Sequence, residues 1–187
     1  GVFGDSTAVR TGVGLMEYGE RSGQLHVVVN AARVGCGVDQ LGERRFLGET
    51  FELAQVCGDL GASWAAALAT QPIDVAVIQT GLWETVERRL PGDSTWRAVG
   101  DPVIDAQVLA ELRAANAFWT ERGIPVVWLR GPVPTDAARA PGTMERFNEL
   151  LEQVLPEFPL ARSVGLDQFV DAQTEADRAR LLPDGIH

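Results

Sequence analysis

The residues best suited to chemistry stand at the two ends of the chain. Val2-Phe3-Gly4-Asp5-Ser6-Thr7-Ala8 reads as the end of an apolar strand, a tight turn on Gly4 and an Asp-Ser pair opening a helix. At a helix N-terminus the unpaired backbone N–H groups and the helix dipole both favour negative charge. Ser6 therefore stands where an oxyanion could be held. A serine alcohol is a weak nucleophile without an adjacent base. The chain has two histidines, and one of them, His187, is its last residue, three positions after Asp184. That spacing can put a carboxylate and an imidazole in one loop. With Ser6 as nucleophile, His187 as base and Asp184 orienting the imidazole, the chemistry would be acyl transfer. Asp5 adjoins Ser6 and is the rival carboxylate.

These residues need elements that bring the two ends together. Apolar runs predict buried strands at 25–29, 73–79, 125–129 and 160–164, after a first short strand before Gly4. Helical spacing predicts helices over 7–20, 62–70, 103–122 and 144–155. His26 lies within the second strand and reads as structural. Strands alternating with helices imply an α/β fold: three layers, α/β/α, around a five-stranded, parallel, doubly wound sheet. Residues 35–61 read as a glycine-rich loop with a short turn or hairpin, and 84–99 as an excursion on the site side. In such folds ligands bind beyond the carboxyl ends of the strands. Ser6, Gly35, Trp83 and His187 all follow strands, so they are expected on one rim.

Gly4-Asp5-Ser6 and Asp184-Gly185-Ile186-His187 resemble the first and last sequence blocks of the SGNH (GDSL-like) hydrolases. Asn30-Ala31-Ala32-Arg33-Val34-Gly35 resembles the second block, and Thr80-Gly81-Leu82-Trp83-Glu84 the third. The blocks stand in the family's order and span the chain. The resemblance implies a flavodoxin-like fold, a Ser6–His187–Asp184 triad, and an oxyanion hole formed by the N–H groups of Ser6 and Gly35, with Gly37 as the competing donor. The third block usually carries an asparagine where Trp83 stands. An indole N–H can donate in its place, or the ring can serve as a platform for a sugar. A Trp-acidic pair at this point resembles SGNH domains attached to membrane-bound O-acyltransferases. That likeness implies a serine esterase or O-acyltransferase acting on acyl groups of a cell-surface glycan. An intracellular lipase- or thioesterase-like enzyme and a catalytically weak glycan-binding domain are the alternatives.

Composition bounds the rest. The chain of 187 residues reads as a single domain, 1–187, with a net charge of −10. All 16 basic residues are arginines, scattered along the chain, so nucleic acid is not an expected partner. The expected partners are an acylated carbohydrate or other ester and a fused membrane acyltransferase domain. No metal-ligand spacing or nucleotide-binding loop is present, and no cofactor is expected. Only three residues precede the first turn, and the chain reads as a segment of a longer protein. Cys36 and Cys57 read either as two buried thiols or as one disulfide. The resemblance to the surface-glycan subgroup implies the disulfide and an extracytoplasmic, membrane-tethered location, with the cytoplasm as the alternative.

Overall fold

The computed structural model describes residues 1–134 and 139–182. The chain opens with a three-residue strand, β1 (Val2–Gly4), and turns directly into α1 (Ser6–Ser22). The turn depends on Gly4, whose φ is 125°. A Cβ there would collide with the carbonyl of Gln79 on the neighbouring strand. Asp5 caps α1, accepting from the Thr7 amide at 2.8 Å, and Gly23 ends it in the left-handed conformation. Two short strands follow, β2 (Glu43–Phe46) and β3 (Glu49–Glu52), then α2 (Leu53–Cys57) and α3 (Leu60–Thr70). Next come β4 (Ala76–Gln79), β5 (Glu87–Arg89), α4 (Pro102–Thr120) and β6 (Val126–Leu129). The described chain closes with α5 (Thr143–Val154), β7 (Ala161–Val164), α6 (Leu166–Asp171) and α7 (Glu175–Leu181).

The strands do not form the expected single five-stranded, doubly wound sheet. They form two sheets: a four-stranded parallel one in the order β1-β4-β6-β7, and a three-stranded antiparallel one in the order β3-β2-β5. The predicted strand at 25–29 is absent as an element. Its end reaches β1 through one parallel bridge, Val2 with Asn30, and bonds such as Val2 N to Val29 O at 2.9 Å. The reason is length, since β1 offers a neighbour only three residues to pair with. The antiparallel sheet is built from the stretch read as a loop with a short turn or hairpin, where β2 and β3 do form a hairpin, and from the stretch read as an excursion, which supplies β5. Their strands are polar, and the apolar runs that mark a buried strand do not occur there.

The core lies against the parallel sheet. Trp119 of α4 is fully buried and packs on Phe3 of β1 at 4.6 Å between ring centroids, and on Trp64 of α3 at 5.3 Å. Ile78, Trp128, Phe147, Leu150 and Leu151 extend this cluster. The Trp128 indole donates to Asn116 at 2.9 Å, which satisfies a polar atom inside the core. No helix among the described residues is long and apolar enough to cross a membrane.

Cys36 and Cys57 are joined in a disulfide with their Cα atoms 5.5 Å apart. The bond ties the loop before β2 to the end of α2 and spans 21 residues of sequence. For a loop of that size the chain-entropy model gives a stabilisation of roughly 3 kcal/mol. Reduction is expected to lower the melting temperature by roughly 6–12 °C for a domain of this size. Calorimetry with and without a thiol reductant checks it, and an unchanged melting temperature would mean that the bond does not restrain the unfolded chain.

Candidate functional site

In a parallel sheet all carboxyl ends share one edge. Here that rim receives Asp5 and Ser6 after β1, the turn 80–86 after β4, and the segment from Arg130 after β6. Ser6 is largely buried at the first position of α1. The Asp5 amide donates to the Gln79 carbonyl at 3.2 Å, which fastens this helix start to β4. Asp5 also accepts from the Thr7 hydroxyl at 2.6 Å, so its described role is to cap the helix.

The other predicted site residues distribute as follows. Asp184 and His187 lie outside the described residues. His26 is exposed and lies beside the last turns of α1, where it lines one recess with Met16, Gly19 and Gly23. Gly19 stands thirteen helical positions after Ser6, about 20 Å along the axis. Gly35 has φ 82°, and its carbonyl accepts a hydrogen bond from Arg44 Nη2. The Gly37 amide stands in the same loop, where the backbone passes so close to Glu84 that a Cβ would overlap its carboxyl. Trp83 is half-buried on the turn after β4. The Arg44 guanidinium lies 4.5 Å from its ring centroid, and Phe46 meets it edge-on at 5.0 Å. Arg139 in turn stacks over Phe46 at 5.4 Å and donates to the Leu82 carbonyl at 2.9 Å. The indole Nε1 of Trp83 is buried, with no hydrogen-bond partner among the described residues. Among the described residues no Ser-His-Asp triad and no oxyanion hole is evident. No group of three or more potential metal ligands occurs there either.

Behind the rim lies a buried charge cluster that sequence reasoning missed. Glu43-Arg44-Arg45 on β2 recurs as Glu87-Arg88-Arg89 on β5, and the strands pair antiparallel with Glu43 opposite Arg89, Arg44 opposite Arg88 and Arg45 opposite Glu87. The outward residues form cross-strand ion pairs, Arg45 with Glu87 at 2.6 Å and Arg89 with Glu43. Both outward guanidiniums stack on Trp96, at 4.9 and 4.8 Å. The inward residues put two arginines side by side, 2% and 1% exposed. Like charges directly opposite on a sheet repel, and buried charge requires partners. Glu111 of α4 binds Arg88 Nη1 through both carboxylate oxygens at 3.0 and 2.9 Å, and Asp39 lies 3.7 Å from Arg44. Burial alone would favour discharging Arg88, but Glu111 and Asp39 outweigh it and hold the guanidinium charged. For Arg44 burial wins, and its affinity for the proton falls below the ordinary value. The repeated Glu-Arg-Arg tripeptide was the available signal, because antiparallel pairing of two copies matches acid to base at both ends.

Glu84 completes the cluster. It is fully buried and accepts from the Thr80 hydroxyl at 2.9 and 2.8 Å, the Gly81 amide at 2.8 Å and the Val38 amide. Burial, then the neighbouring carboxylates of Asp39 and Asp5, push its pKa up to about 7, against the opposing pull of the Thr80 and Val38 hydrogen bonds.

No protein-family model matches the chain, and no curated protein matches it. The likeness to SGNH hydrolases drawn from four short blocks is therefore unsupported, and the sheets overturn the fold it implied. The esterase or O-acyltransferase activity, and the lipase- or thioesterase-like alternative, fall with it. Gly-Asp-Ser does here what a turn and a helix cap require.

Two predictions follow from the cluster. Glu111→Leu leaves Arg88 buried beside fewer anions, and is expected to cost about 3–5 kcal/mol. Adding Arg88→Met should recover most of that loss, as read from urea denaturation; an additive double variant would show that the two residues do not act as a pair. The Glu84 shift also has a definite sign. Below its ordinary value of 4.5 the folded and unfolded chains both carry the proton. Between there and about 7 only the folded chain keeps it, so stability falls as pH rises, by at most about 1.4 kcal/mol per pH unit. Glu84→Gln removes this slope. It also lowers stability at acid pH, because an amide nitrogen would face one of the backbone donors.

Proposed function

We propose that this chain is an extracytoplasmic carbohydrate-binding domain, and that an acylated glycan is bound at the carboxyl-end rim of the parallel sheet. The observation that carries the reading is the stack Arg44–Trp83–Phe46–Arg139, in which two half-buried aromatic rings at the rim are flanked by guanidiniums, that of Arg44 from the buried side. Half-exposed aromatic rings meet the apolar faces of sugar rings, and fixed polar groups beside them supply orientation. Trp83 is held on one face by Arg44 and packs against Phe46 in a T-shaped contact, so little ordering entropy remains to be lost when a ligand docks. The disulfide supports the location, since such bonds persist in oxidising compartments.

The test is calorimetric titration with O-acetylated xylo-oligosaccharides and with the same oligosaccharides after saponification. The acetylated form is expected to bind more tightly. Trp83→Ala is expected to weaken that binding ten-fold or more, with the circular dichroism spectrum unchanged. Equal affinity for both forms would remove the acyl group from the reading. Absence of binding, or full affinity in Trp83→Ala, would overturn it.

A further inference from the structure

We infer that Glu84 is a pH-sensitive latch between two segments of the rim, the turn 80–86 that carries Trp83 and the loop 35–39 that is tied down by the Cys36–Cys57 disulfide. The geometry joins both segments at one carboxyl group. From its own turn Glu84 takes the Thr80 hydroxyl and the Gly81 amide, and from the facing loop it takes the Val38 amide. The loop can come this close only because residue 37 is glycine. A third connection runs through Arg44, which donates to the Gly35 carbonyl of the same loop and stacks on Trp83. A displacement of the loop is therefore transmitted to the indole.

The charges around Glu84 decide which state is tight. Asp39 faces it from the loop, Asp5 from the cap of α1, Arg44 from β2 and Arg88 from β5, with Glu111 of α4 behind Arg88. With Glu84 protonated, these groups carry three negative charges against two positive ones. Ionisation adds a fourth negative charge in a site shielded from water, within electrostatic reach of Asp39. Moving the loop that carries Asp39 outward relieves the repulsion and admits water. The latch is thus closed when Glu84 holds its proton and loosened when the proton passes to solvent. The device does not depend on whether Trp83 binds a glycan.

The test follows Trp83 itself. The whole chain is labelled with 5-fluorotryptophan, and the Trp83 resonance is assigned by its loss in Trp83→Phe. Fluorine NMR is then recorded from pH 5 to pH 9. The Trp83 signal is expected to titrate with a midpoint near 7, while those of the core residues Trp119 and Trp128 stay in place. In Glu84→Gln the Trp83 signal should become independent of pH. Asp39→Asn removes the facing charge and should move the midpoint to lower pH by half a unit or more; this variant decides the matter if Glu84→Gln does not fold. A Trp83 signal that does not titrate, one that titrates unchanged in Glu84→Gln, or a midpoint unmoved in Asp39→Asn would overturn the latch.

Discussion

Two arginines placed opposite each other on a buried sheet face set the constraint that the rest of the rim answers. Arg44 and Arg88 are adjacent across β2 and β5 and almost inaccessible to water. Left alone, such a pair would force the strands apart or drive the face into solvent. The fold brings acids to it from three directions: Glu111 from α4, Asp39 from the loop before β2, and Glu84 from the turn after β4. Each acid belongs to a different element. The charge cluster is therefore what fixes the antiparallel sheet to the helices and to the parallel sheet.

That arrangement also explains why acids exceed bases behind the rim. Asp5 is required at the N-cap of α1, where it satisfies the Thr7 amide. Its charge reaches Arg44 and Glu84. The pocket of water-excluded protein then contains more carboxylates than two guanidiniums can neutralise. One of them, the fully buried Glu84, answers by keeping its proton to about neutral pH. Local helix chemistry and long-range charge balance meet at that one side chain.

The Gly-Asp-Ser turn illustrates the limit of reading chemistry from a short motif. Its glycine is needed for a backbone conformation and a close approach to Gln79, and its aspartate for a helix cap. Both demands exist whether or not Ser6 reacts with anything. The same holds for Gly37, which is small because a buried carboxyl occupies the space beside it. Gly4, Asp5 and Gly37 are each accounted for by local geometry alone.

The sequence by itself determined the elements whose signals are local. The helices over 103–122 and 144–155 appear as α4 and α5 within a few residues, because apolar spacing and capping residues are properties of a single segment. Strands β4 and β6 likewise follow from continuous apolar runs. Only the tertiary structure decided how many strands joined the parallel sheet, since that depended on the three residues β1 had to offer. It alone made strands of Glu43–Phe46 and Glu87–Arg89, whose polar side chains are stabilised by partners more than forty positions away. And it alone made Glu84, an acid on the turn after β4, into the buried group on which two segments of the rim converge. Burial and opposing charge are properties of the assembled chain, and no single segment carries them.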